Sequence, residues 1–260
     1  MAPEVAQQLR HLISVLTVPV YFLVAFALYR RGLWRSYLFF EICLLMEGAS
    51  LAALLLAGNN IPAYLFIYKI SQPPIWVLYI LMVIEVFQKV FIKFPGIARL
   101  AQRVVIASML IAFAFALASI GGDLTDGWTG RSLVPRYSII LRTISSALNI
   151  FMLLIAAFLV WMPVPLPPNT IRHSLLYFFY FFVATGVHYV LNVNIKNGEW
   201  VQISNLVISL LTLAALGAWH LLLQPEGEII PVLHPNPRTA SSEMLARLES
   251  LNRTLSSPQK

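Results

Sequence analysis

Apolar residues in this chain come in long blocks, each close to the ~20 residues that cross a ~30 Å hydrocarbon core as a helix. The blocks run Leu12 to Tyr29, Tyr37 to Leu56, a third within Ala63 to Phe94, Val104 to Ile120, Ser138 to Met162, Ser174 to Asn194 and Trp200 to Leu223, with short polar punctuation between them. They predict an all-α, polytopic membrane protein, a seven-transmembrane-helix bundle over residues 1–223 with a tail over 224–260. The third block is too long for one level helix, and Gln72, Pro73 and Pro74 interrupt it. Proline removes a backbone donor and crowds the preceding turn, so this span is expected to be kinked or broken at Pro73-Pro74, with a main span from Pro74. The fifth loop, Pro163 to Thr170, carries four prolines and is expected to be an extended, stiff connector.

Charge orients the bundle. Arg30, Arg31, Arg35, Lys89, Lys93, Arg99, Arg103 and Arg172 fall in loops on one side. The other side has Arg10, Arg131, Arg136 and Lys196, interspersed with Asp123, Asp126 and Glu199. The richer side is expected to be cytoplasmic, which puts the N-terminus outside and the C-terminus inside. The first segment lacks the basic region and small-residue cleavage site of a secretory signal, so the first span is expected to be retained. In the tail, an irregular Pro, Gly and Glu stretch precedes a short amphipathic helix at about 241–255, on which Met244, Leu248, Leu251 and Leu255 share a face. That face suits the bilayer surface or a second copy, so a homodimer through the tail helix is one expectation.

Composition agrees with the lipid bilayer as the principal partner. The chain is 59% hydrophobic and 11% charged, with a mean hydropathy of +0.77, against roughly 25% charged in soluble domains. The net charge of +7 comes from bases scattered singly between apolar runs, so no nucleic-acid surface is expected. One cysteine, Cys43, leaves no intrachain disulfide and no multi-cysteine metal site.

Ionisable residues inside spans are the candidates for chemistry, because each costs about 2.5 to 3.5 kcal/mol near a helix centre unless paired, hydrated or neutralised. Glu47 lies near the middle of the second span, and Glu85 near the middle of the third if that span starts at Pro74. Opposite chain directions then bring both carboxylates to similar depth, where a shared proton or cation is possible. Lys89, four residues after Glu85, offers the alternative of a local pair. Glu41, Arg142, His188 and Asn149 complete the ligand- or ion-site candidates. No cofactor site is recognised. The seventh span has no lysine for a retinal Schiff base, the histidines are too dispersed for a metal, and no nucleophile elbow or phosphate loop is present, so no catalytic residue is assigned.

From Pro73 to Arg103 the chain carries Leu78-Tyr79, Glu85-Val86-Phe87, Phe94-Pro95-Gly96-Ile97 and Leu100 to Arg103, and the tail carries Leu248-Glu249-Ser250-Leu251-Asn252-Arg253. These segments resemble a group of uncharacterised bacterial seven-transmembrane-helix membrane proteins. The resemblance implies a multi-pass location in the bacterial inner membrane and transfers no activity. The architecture suggests a non-enzymatic membrane sensor or signal-transducing protein binding a small apolar or lipid-like ligand within the bundle. The alternatives are an ion- or proton-coupled transporter or channel using Glu47 and Glu85, and a lipid-modifying membrane enzyme.

Overall fold

The computed structural model describes residues 3–91, 141, 143–153, 166–194, 197–229, 246 and 249–250. Five long helices dominate: α1 (Pro3–Arg30), α2 (Leu38–Ala57), α3 (Ile61–Phe91), α5 (Pro168–Val193) and α6 (Gly198–Leu222), with a shorter apolar helix, α4 (Thr143–Leu153), between α3 and α5. All five are long and apolar enough to cross a membrane. The span expected at 104–120, Arg142 and the tail positions Met244, Leu248, Leu251 and Leu255 lie outside the described residues.

The helix faces explain why this fold belongs in lipid. Along α5, His173, Tyr177, Phe181, Ala184 and His188 are buried, while Leu175, Phe179, Phe182 and Tyr189 are exposed. Both sets recur at helical spacing, but His173, Tyr177 and His188 turn inward and the outward set is hydrocarbon apart from the Tyr189 hydroxyl. A helix facing water shows the opposite arrangement. α1 repeats the pattern, with Tyr21, Val24 and Leu28 inside and Leu16, Leu23 and Phe26 outside. The protein is a helical, multi-pass membrane bundle.

The long helices close a ring in the order α1, α2, α3, α5, α6, each packed on the next, and α6 returns to α1. α4 lies against α3 through Phe151 and Phe87, whose ring centroids are 5.9 Å apart. Contacts described below bring the C-terminal ends of α1, α3 and α6 and the N-terminal ends of α2 and α5 to one end of the ring, here the near end.

Local chemistry sets the helix ends there. α1 stops in a Schellman motif: Gly32 has φ +71, its N–H donates to the Tyr29 carbonyl at 3.0 Å, and the Leu33 N–H donates to the Leu28 carbonyl at 3.0 Å. Glycine takes this left-handed conformation without steric cost. α5 begins at Pro168, inside the segment expected to be an extended connector, because proline's fixed φ and missing N–H suit the first helical position. Of the two alternatives at Pro73-Pro74, a kinked span or a broken one, the break is excluded: α3 is a single helix of 31 residues through both prolines. Both prolines are exposed, so their rings displace no packed neighbour.

Candidate functional site

The ring encloses a cavity of ≈ 30 Å³, to which every long helix contributes, with Tyr21, Glu47, Tyr79, Tyr180 and Thr212 supplying its polar groups. That is room for one or two water molecules. Apolar and aromatic side chains make up the rest of the wall, including Met82, Phe181 and Trp219. Glu47 reaches it from the α2 face that also carries Phe40, Cys43 and Leu44, and its Oε1 accepts a hydrogen bond from the Tyr79 hydroxyl. One position further along α2, Gly48 allows close approach of α1. A Cβ there would stand 3.0 Å from the Tyr21 Cβ and 3.3 Å from the Phe22 ring.

Glu85 does not share this site. Its Oε1 accepts from the Phe39 backbone N–H at 3.4 Å, which places it beside the first turn of α2, where unpaired amide donors favour a carboxylate. Glu47 lies eight residues further along α2, about 12 Å at a helical rise of ~1.5 Å per residue. The two carboxylates are therefore staggered in depth, and the shared proton or cation expected from equal depth has no geometric basis. Lys89 also turns away from a simple pair with Glu85: its Nζ lies 3.8 Å from Glu228 Oε2 and 3.6 Å from the centroid of the Tyr37 ring.

The other sequence candidates are dispersed. Glu41 sits in the first turn of α2, where its buried Oε2 finds no hydrogen-bond partner among the described residues. His188 is buried in α5, and its Nδ1 donates to the Ala184 carbonyl of its own helix at 2.7 Å. Asn149 lies on α4 with a buried Oδ1 that has no hydrogen-bond partner among the described residues. Arg142 lies outside the described residues. Among the described residues no group of three or more His, Cys, Asp or Glu could hold a metal ion.

A second polar cluster, which sequence reasoning missed, closes the near end. After α6 the chain turns through a 3-10 helix, Pro225–Glu228, and returns Glu228 to the mouth of the ring. Glu228 Oε1 accepts from the Tyr37 hydroxyl at 2.7 Å and from Asn169 Nδ2 at 3.0 Å. Asn169, wholly buried, also donates to the Gln224 carbonyl at 2.7 Å and accepts from the Gln224 N–H at 3.3 Å. Gly227 is required by this approach, since a Cβ there would fall 2.1 Å from Asn169 Oδ1. Burial first, and the Glu228 carboxylate next, push the Tyr37 phenol well above its ordinary range, so it stays a hydrogen-bond donor at neutral pH.

Packed rings join the cavity to this closure. Tyr79, which holds Glu47, meets Phe181 at 5.7 Å between centroids. Phe181 stacks on Tyr177 at 5.9 Å, Tyr177 meets His173 at 4.3 Å, and His173 meets Tyr37 at 4.7 Å. Tyr37 then bonds Glu228. His173 is buried with neither ring nitrogen hydrogen-bonded among the described residues, and Phe40 adds to its aromatic surround at 4.8 Å. The spacing of His173, Tyr177 and Phe181 on one α5 face was a readable signal of an inward aromatic stripe. Comparison with protein-family models, curated proteins and solved structures finds no match to this chain.

Proposed function

We propose that this protein is a non-enzymatic membrane sensor or signal transducer, in which a small apolar or lipid-like ligand entering the bundle alters the segment that leads into the tail. The carrying observation is the unbroken column from Glu47 and Tyr79 through Phe181, Tyr177, His173 and Tyr37 to Glu228. A cavity of ≈ 30 Å³ admits a ligand larger than water only by parting these side chains. Packed cores respond to such insertion by switching arrangement rather than by deforming smoothly, and a ligand that prefers the parted arrangement shifts its population. The stagger of Glu47 and Glu85 weighs against the transport reading, which needs them together.

Seven spans, with the N-terminus outside and the C-terminus cytoplasmic, belong to the same proposal. α3 ends and α5 begins at the near end, which is compatible with an even number of crossings between them. Two crossings, at the apolar blocks Val104 to Ile120 and Ser138 to Met162, bring the total to seven. Arg30, Arg31, Arg35, Lys89 and Arg172 all belong to the near end, which favours that end for the cytoplasm and suits the bacterial inner membrane.

The test reads the tail. With Cys43→Ser and Glu226→Cys in one chain, the rate of thiol labelling at position 226 reports whether the closure is in place. Glu47→Gln is expected to change that rate at least threefold, and an unchanged rate in a folded variant would remove the coupling. Liposomes containing the wild-type protein and a trapped pH dye are expected to show no proton flux above empty liposomes. A flux abolished by Glu47→Gln would establish the transporter instead.

A further inference from the structure

We propose that the outer cleft between α1 and α6 at the near end binds an anionic phospholipid, with its phosphate on Arg30 and Arg31 and an acyl chain along Phe26 and Leu23. The cleft has a volume of ≈ 420 Å³ and is lined by Leu23, Phe26, Ala27, Arg30, Arg31 and His220. It lies on the outside of the ring and is separate from the internal cavity.

Three features identify the occupant. First, the cleft is amphipathic along the membrane normal. α1 runs toward the near end, so Phe26 and Leu23 lie about one and two turns deeper than Arg30, and they are 61% and 51% exposed on the lipid-facing surface. Second, Arg31 is already fixed. Its Nη1 donates to the carbonyls of His220 at 2.7 Å and Leu223 at 2.6 Å, capping the C-terminal end of α6. Its Nε and Nη2 make no hydrogen bond among the described residues, and these are the donors a guanidinium offers to a phosphate. Third, His220 lines the cleft beside Arg31, whose Nη1 holds its carbonyl, so a further polar residue stands at the headgroup end of the cleft. Two guanidiniums at the membrane interface favour an anionic headgroup over a zwitterionic one, by about fivefold for each base near the surface. A free phosphate would use the bases but leave the wall formed by Leu23 and Phe26 bare.

Native mass spectrometry of the full-length protein in a neutral detergent tests this after incubation with equal amounts of phosphatidylglycerol and phosphatidylcholine. Phosphatidylglycerol is expected to be retained at least fivefold in excess. Arg30→Gln, at an exposed residue with no described hydrogen bond, is expected to lower that retention about fivefold, and Phe26→Ser to lower it as well. Arg31→Gln is a poorer probe because Arg31 also caps α6. Thermal reactivity of Cys43 supplies the second arm: phosphatidylglycerol is expected to raise its midpoint in the wild type but not in Arg30→Gln. Equal retention of the two lipids, or wild-type retention in Arg30→Gln, would overturn the site. Inorganic phosphate that raises the midpoint as much as the lipid does would overturn the choice of a phospholipid.

Discussion

At the near end of the ring, Glu228 and Asn169 gather side-chain and backbone groups from the α1–α2 connection, α3, α5 and the segment after α6, while Arg31 and Arg172 hold the last carbonyls of α6. Toward the far end, the bond described between helices is Ser50 to Ser71, at 2.8 Å. Asn194 and Ser209 each donate a side-chain bond to a carbonyl of their own helix. Under the proposed function the two ends would have distinct tasks. Long-range polar contacts converge on the near end, while fewer bonds between helices are described toward the far end. A bundle that senses at one end and reports at the other needs such asymmetry.

Asn169→Ala is expected to have the largest effect. It removes three hydrogen bonds at a fully buried site and leaves the Gln224 carbonyl and N–H without this partner, a cost of about 3 kcal/mol. The sole cysteine, Cys43, is buried in the core, so its reaction with a thiol-activated dye during heating in detergent reports opening of the bundle. Asn169→Ala is expected to lower that midpoint more than any single change at the far end. A midpoint equal to that of the wild type would show that the near-end closure contributes little.

Gly227→Ala sharpens the comparison by leaving every hydrogen-bonding side chain in place and removing only the space they use. The new Cβ falls 2.1 Å from Asn169 Oδ1, so the turn must move out or Asn169 must rotate away. Overpacking of this kind costs about 2 kcal/mol. The expected outcome is faster proteolysis after residue 224, together with a smaller drop in the Cys43 midpoint than in Asn169→Ala. Wild-type protease resistance would mean that the closure tolerates the displacement.

How much of this could be read beforehand depended on the distance over which each contact acts. The apolar blocks are local and nearly uniform, so the long helices were visible in them. Glu85 falls at mid-span only if its helix starts at Pro74. α3 begins at Ile61 and passes both prolines, which moves Glu85 from mid-span toward the near end. Glu47 was visible as a carboxylate within a span, but its Tyr79 partner was not, since nothing in Leu78-Tyr79 marks a phenol that faces inward. The closure was the least legible part. Pro225, Glu226, Gly227 and Glu228 read as a linker, and what gives them structure is contact with Tyr37, 191 positions away in the chain, and with Asn169, which had been assigned to a stiff connector.

The smallest expected effect tests the far side of the comparison. Ser50 and Ser71 are both buried, and each is the other's described partner across α2 and α3. Interhelical hydrogen bonds in membrane proteins average about 0.6 kcal/mol, because a separated helix finds other partners for the same groups. A serine hydroxyl can also fall back on a carbonyl of its own helix, as Ser174 does with Thr170 at 2.7 Å and Ser209 with Asn205 at 2.9 Å. Ser71→Ala is therefore expected to shift the Cys43 midpoint only slightly, and Ser50→Ala with Ser71→Ala to cost little more than either alone. Coupling well above about 1 kcal/mol in that double-mutant cycle would mean that the far end is polar-locked as well. The asymmetry on which the proposed function rests would then be lost, because α2 and α3 could not part to admit a ligand without first breaking a bond as strong as those that hold Glu228.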